Sequence, residues 1–258
     1  MPIAPAIALA APPTNGVAAR RYSILNAAVG PLDMPDNGRL VDVAYTVPWC
    51  GPGGAILAPD CDTPPPNVAE GALTIVDGIA FTASRTFQCT AHGITPAEAE
   101  AFMRQRLDAS EHVLVERAVA AQLAAATPVD LGSGTTIVDV VSELENYAYV
   151  TQAYGPTAVI HMPVAGFAHL ADASQITRES STGVWRTPIG TAVYPNAGLT
   201  TQAYVTGLLV LWRNGTPFIS PASAALDRTT NEYKMVGQRD WIAAWECFTA
   251  RITLGVLA

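Results

Sequence analysis

The 258-residue sequence predicts an α+β fold on three observations. One segment, residues 94–128, holds a large share of the ions of a chain that is only 14% charged, and it keeps helical spacing throughout. Before it lies a stretch so dense in proline and glycine that regular helix is excluded, followed by β-prone runs. After it, short strands and short helices follow one another without the strand–helix–strand alternation of a doubly wound enzyme.

The opening, "MPIAPAIALAAPPTNGVAARR", is apolar, but its basic pair Arg20 and Arg21 follows the apolar run instead of preceding it. Pro2, Pro5, Pro12 and Pro13 interrupt any helical core of a signal peptide, so residues 1–40 read as an extended arm. Residues 41–67, including "VPWCGPGGAILAPDCDTPPPN", form a long extended excursion. "ALTIV" and "IAFTASRTFQCTA" are joined by an Asp-Gly pair and read as a hairpin, making residues 41–93 one projecting loop.

The helix that follows has a well-specified start. Thr95 is the cap, Pro96 suits the first helical position, and Glu98 completes a capping box. Phe102, Met103, Leu107, Ser110, Val113, Leu114, Ala118 and Ala121 are expected on the packed face, with Glu100, Arg104, Asp108 and His112 on an exposed ionic one. Pro128 ends a rod that about thirty residues at ~1.5 Å each make about 45 Å long.

Beyond "GSG", Ile137, Val140, Val141, Leu144 and Tyr147 show the spacing of a helix packed on a sheet. "TAVIHMP" reads as a buried strand, "PVAGFAHLA" as a short helix, and "GVWRTPIGTAVYPN" as two short strands around a bend. The Asn214-Gly215 pair predicts a hairpin. The tail from Asn231 reads as two strands bending near Trp241.

Hydrophobic residues make up 50% of the chain and mean hydropathy is +0.24, yet no run approaches the ~18 apolar residues of a spanning helix. The chain reads as soluble and without a membrane role. So few charges leave apolar surface to be covered by partners, which favours an obligate oligomer. A net charge of −8 offers no basic footprint for sequence-specific nucleic-acid binding. Cys50, Cys61, Cys89 and Cys247 lack zinc or redox spacing and read as buried thiols, with a Cys50–Cys61 pairing left open.

No catalytic, cofactor-binding or metal site emerges. "GPGG" at 51–54 and "GSG" at 132–134 have neither a P-loop lysine nor dinucleotide-binding spacing. His161 and His169 sit in no metal-binding arrangement and read as structural. Glu143 and Glu145 lie two apart on a helix, pointing differently. The nucleophile elbow of a serine hydrolase does not occur.

Four stretches carry a resemblance: "FQCTAHGITPAEAEAFMRQRLDASEHVLVERAV", with its Glu116-Arg117 pair, "AVIHMPVAGFAHLA", "WRTPIGTAVYP" and "ALDRTTNEYKMVGQRDWIAAWECF". Their order and spacing resemble a tailed-bacteriophage major capsid protein of the Hong Kong phage coat fold, which encapsulin shells share. The chain is most similar to coat proteins of actinobacterial phages.

The resemblance implies an N-terminal arm (1–40), an extended loop (41–93), a spine helix (94–131) of the peripheral or P-domain, a central axial or A-domain (132–218) and P-domain return strands (219–258). It implies a non-enzymatic subunit without cofactors that assembles in the host cytoplasm into the hexamers and pentamers of an icosahedral virion head. Portal, scaffolding and decoration proteins are the further candidate partners, and packaged double-stranded DNA would be held weakly and non-specifically. The alternatives are an encapsulin-like compartment, a minor head or decoration protein and, as an outsider, a small-molecule enzyme. Some members crosslink a loop lysine to a neighbour's asparagine. Residues 41–92 contain no lysine, and Lys234 is the only one in the chain, so the shell is expected to be noncovalent.

Overall fold

The computed structural model describes residues 23–27, 29–34, 43–47 and 74–255. Most of the expected arm, the Pro/Gly-rich excursion at 48–73, Cys50 and Cys61 lie outside the described residues.

A helical turn, α1 (Ile24–Ala27), precedes strand β1 (Val29–Met34). Strands β2 (Ala44–Val47) and β3 (Thr74–Asp77) pair antiparallel with each other. Then β4 (Ile79–Thr90) runs into the long helix α2 (Pro96–Ala125). The capping box at Thr95 and Glu98 forms as expected, with the Glu98 N–H donating to the Thr95 hydroxyl and the Thr95 N–H to the Glu98 carboxylate. Strand β5 (Val129–Gly134) leads to α3 (Ile137–Asn146), prolonged by one π-helical turn at Tyr147–Thr151.

Strand β6 (Val159–Pro163) is buried along its whole length, and α4 (Val164–Asp172) follows it. The chain continues through β7 (Thr177–Arg178), β8 (Trp185–Arg186), β9 (Ala192–Asn196) and β10 (Gln202–Thr206). It ends with β11 (Leu209–Asn214), β12 (Phe218–Ile219), α5 (Ala222–Ala225), β13 (Leu226–Asp227), β14 (Glu232–Trp245) and β15 (Thr249–Leu254).

These strands build two main sheets. In the six-stranded one, β14 pairs with β4 along one edge, while β11, β12 and β13 follow one another along the other, with β1 outside β11. The seven-stranded sheet has the order β5-β15-β10-β6-β9-β8-β7. Its one face carries α3 and α4 through Val140, Leu144, Ile160, Met162, Leu170 and Val205. Its other face meets α2 and the six-stranded sheet through Val159, Tyr204, Val119, Leu123, Leu211 and Trp241. A side chain such as Leu123, fully buried here, contributes on the order of 2 kcal/mol by leaving water. Nearer its N-terminus, α2 lines a further core through Ala99, Met103 and Leu107, packed with Ala222, Tyr233 and Met235.

Several expectations are corrected. The buried stripe of α2 is Ala99, Met103, Leu107, Glu111, Val115, Val119 and Leu123, and it takes in Glu116 as well. Val113 and Ala118 are only half-buried and Ala121 is exposed. A polarity pattern places glutamates outside, whereas here both are held by partners described below.

The Asp-Gly pair makes no hairpin. Strand β4 pairs instead with β14 over twelve positions, from Ile79↔Ala243 to Thr90↔Glu232, a longer ladder than four-residue β3 offers. Gly78 is required by packing, since a Cβ there would fall 2.4 Å from Ile242 Cγ2. Asn214-Gly215 is no hairpin either, because neither residue takes the positive φ that the tight turn needs, and β11 and β12 lie along the same edge of β14. Trp241 sits mid-strand between Arg213 and Phe81, and the break falls at residues 246–248. "GSG" belongs to β5 and not to a loop.

Sheet membership also departs from the expected segment boundaries. Strand β4 leaves the projecting loop for the six-stranded sheet, β11 joins it there, and β15 crosses to the seven-stranded one. Cys89 is a free thiol, but Cys247 is disulfide-bonded, contrary to the buried-thiol expectation.

Candidate functional site: the buried polar junction

Helix α2 brings Glu111 against β14, where Arg239 and Trp241, two residues apart, project from one face of the strand. Arg239 Nη1 donates to Glu111 Oε2 at 2.7 Å and Trp241 Nε1 donates to Oε1 at 3.0 Å. Both ions of this pair are nearly buried, their side chains 10% and 7% exposed. Burial lifts the Glu111 carboxyl above the usual range, although Arg239 and the Trp241 hydrogen bond pull the other way. At the preceding helix residue, Arg85 of β4 donates to the Ser110 hydroxyl at 2.9 Å. The charged clamp therefore ties the spine to both strands of the long ladder.

Farther along the helix, Glu116 is fully buried and its Oε2 accepts from the Ala197 N–H at 2.9 Å. The turn after β9 comes so close that a Cβ on Gly198 would lie 2.6 Å from Ala120 Cβ. Asn196 Oδ1 accepts from the Gly198 N–H at 2.8 Å and holds that turn. Arg117, its neighbour in the expected Glu-Arg pair, is exposed.

Within the seven-stranded sheet, His161 of β6 lies directly between β9 and β10, opposite Tyr194 and Tyr204. Its Nε2 is 3.1 Å from Thr206 Oγ1, and its Nδ1 is hydrogen-bonded to the Tyr194 hydroxyl. The Thr206 hydroxyl donates onward to the Gly207 carbonyl at 2.9 Å. One assignment satisfies all of these groups: Tyr194 O–H donates to Nδ1, and Nε2–H donates to Thr206. Complete burial drives the imidazole down to about 3, so it is neutral. Burial, and secondarily the charge of Glu116, pushes the Tyr194 phenol up.

The histidine relay is hydrogen-bonded throughout and closed to solvent. His161 has both nitrogens engaged and no path to water, so it is no free general base. His169 is exposed on α4, Glu143 is exposed on α3, and Glu145 accepts from the Thr187 hydroxyl at 2.5 Å. Among the described residues no three metal-binding side chains come together, and no helix is long and apolar enough to cross a membrane. Lys234 is exposed and paired with Asp227 at 2.7 Å. That contact holds its ammonium charged and raises its pKa, the opposite of what a nucleophilic amine requires. Glu111 and Glu116 were the residues that sequence reasoning missed. A signal was available for Glu111, which interrupts the apolar row Met103, Leu107, Val115 and Val119 spaced four apart, but not for Glu116, which follows Asp108 and His112 in its own row.

No family model matches the chain, and no curated protein matches it in sequence. Solved structures do match. The capsid of an empty GTA particle aligns over 93% of this chain and 91% of its own, at 12% identity and a TM-score of 0.55. The capsid of Ralstonia phage GP4 aligns over 93% and 92%, at 10% identity and a TM-score of 0.51. A virus-like particle from Pyrococcus furiosus aligns over 92% of both chains, at 10% identity and a TM-score of 0.51. From its first described turn to its last strand, the chain adopts the phage coat fold of these shell proteins.

Proposed function

We propose that this protein is the major coat subunit of a self-assembling icosahedral shell around double-stranded DNA, present in the virion as hexamers and pentamers. The observation that carries the reading is the extent of the likeness, above nine-tenths of both chains for shells of different origin. Composition supports it, because a chain only 14% charged needs partners to cover apolar surface. Exposed Phe218, Val150 and Ile189 are examples of such surface. A net charge of −8 suits a wall that must not grip its genome by the phosphates.

In this reading residues 1–40 are the arm, 41–78 the part of the loop that reaches a neighbour, α2 the spine, and the two sheets the P- and A-domains. The shell is held by noncovalent contacts, since the only lysine lies on a P-domain strand in a salt bridge. Particles boiled in reductant would run as one band near 27.0 kDa, and a reductant-resistant ladder would refute that arrangement. The likeness to the Pyrococcus furiosus particle favours a second reading, a compartment enclosing protein. Nuclease-protected DNA extracted from purified particles supports the coat reading. A co-purifying internal protein with no protected nucleic acid would replace it with the compartment.

A further inference from the structure

Among the described residues the chain passes between the two sheet bodies three times: from α2 into β5 at 126–128, from β10 to β11 at 207–208, and from β14 to β15 at 246–248. The last two passages run side by side. The Glu246 N–H donates to the Leu208 carbonyl at 3.1 Å, and a Cβ on Gly207 would fall 2.3 Å from the Glu246 carbonyl oxygen.

The Tyr154 hydroxyl joins them, accepting from the Leu208 N–H at 2.9 Å and donating to the Glu246 carboxylate. Its ring stands edge-on to Phe248 at 5.3 Å, and Phe248 in turn meets Tyr147 at 5.7 Å. Burial, reinforced by the Glu246 hydrogen bond, raises the phenol well above its ordinary value, so it stays protonated and able to donate.

Three non-glycine residues with positive φ gather here: Thr127 at 51°, Ala153 at 50° and Cys247 at 62°. Such backbone costs on the order of 1 kcal/mol per residue and persists only where its surroundings impose it. Beside them opens a cavity of about 490 Å³, lined by Thr127, Gln152, Trp245, Cys247 and Phe248 among others. Two of the three passages thus bend at a left-handed residue and the remaining one at a glycine, beside an open pocket.

We propose that this cluster is a hinge, about which the seven-stranded sheet with α3 and α4 turns as one body against α2 and the six-stranded sheet, and that the Tyr154 hydroxyl is the bolt that holds its present setting. With all described connections at one place, rotation stretches none of them, and a few end-of-element residues absorb the change in φ and ψ. Across the rest of the junction the two bodies meet mainly through apolar side chains such as Val119, Leu123, Tyr204 and Leu211, which tolerate small slides better than directional bonds do. The Ala197–Glu116 bond marks the far side of the present setting.

The test is a distance measurement on the full chain. Spin labels on noncanonical residues at exposed positions 101, on α2, and 142, on α3, report across the hinge. A pair at 86 and 101 stays within one body. Labelled chain is diluted into excess unlabelled chain and kept free of reductant, so that only intrachain distances count and the Cys247 disulfide persists. Tyr154→Phe keeps the ring and its packing but removes the bolt, and Gly207→Ala forces the two passages apart.

The 101–142 distribution is expected to broaden about twofold in Tyr154→Phe, and its mean to shift by about 3 Å or more in Gly207→Ala, with the 86–101 distribution unchanged. An unchanged 101–142 distribution in Tyr154→Phe overturns the proposal. So does equal broadening of both pairs, which would mean a merely structural tyrosine. Should Gly207→Ala fail to fold, Tyr154→Phe decides alone.

Discussion

The clamp on the spine and the relay in the seven-stranded sheet both bury a titratable group, yet they do so in opposite electrical states. Glu111 is held against Arg239 as one half of an ion pair, whereas His161 is held neutral between a phenol and a hydroxyl. Burial disfavours the charged form of each, and therefore lifts the carboxyl and depresses the imidazole. Acidification is thus tolerated at the clamp and opposed at the relay. The difference teaches that one fold can weld a helix to a strand with directional charge, and weld strands to each other with neutral hydrogen bonds.

The largest expected effect is the pH response of the relay. His161 has its proton affinity lowered from 6.5 to about 3 on folding. Its stabilising contribution is therefore complete above about pH 6.5 and is lost progressively as the pH falls toward 3. The whole window is worth about 4–5 kcal/mol at ~1.36 kcal/mol per pH unit. Denaturant midpoints should fall across this window in the wild type and much less in His161→Gln. Equal slopes would mean that the imidazole is not held neutral.

Next comes the clamp. Glu111→Ala leaves Arg239 buried without its partner and should cost about 3–5 kcal/mol, while Glu111→Leu combined with Arg239→Met removes that orphaned charge and should cost only about 1–3 kcal/mol, the penalty of the buried Trp241 N–H left without its acceptor. Urea melts of the three proteins check it, and a double variant as costly as Glu111→Ala would show that the pair itself, and not the orphaned charge, supplies the stability. Tyr194→Phe should cost about 1–3 kcal/mol, because it leaves His161 Nδ1 buried and unsatisfied. If the relay also fixes the tautomer, nitrogen-15 shifts of His161 should change in the same variant. The smallest effect, under about 1 kcal/mol, is expected from Arg104→Ala on the exposed face of the helix. A loss as large as that of Leu107→Ala, about 2–5 kcal/mol, would put Arg104 in a contact the isolated chain does not have.

Local signals in the sequence were read correctly where their chemistry is local. The cap at Thr95, the helix at 137–146, the wholly buried strand around His161 and the bend before Gly190 all depend on neighbours within a few residues. Pairing across the chain was read less well. Asp-Gly and Asn-Gly are hairpin signals only when nothing better is available to the flanking strands, and β14 offers β4 twelve partners. Glu111 and Glu116 were given no place on the helix, because the partners that hold them lie over eighty residues away, Ala197 for Glu116 and Arg239 for Glu111. Both sheets recruit strands from far apart in the chain, so the segment boundaries read from order alone did not coincide with sheet membership.

The central claim, that the fold exists to tile a closed shell, is tested most directly by imaging the purified full-length chain. Electron micrographs should show closed, thin-walled particles of icosahedral symmetry, with hexameric and pentameric clusters resolved in their averages. A protein that stays monodisperse and monomeric at micromolar concentration, with no particles under any condition of salt or pH that preserves its fold, would contradict it.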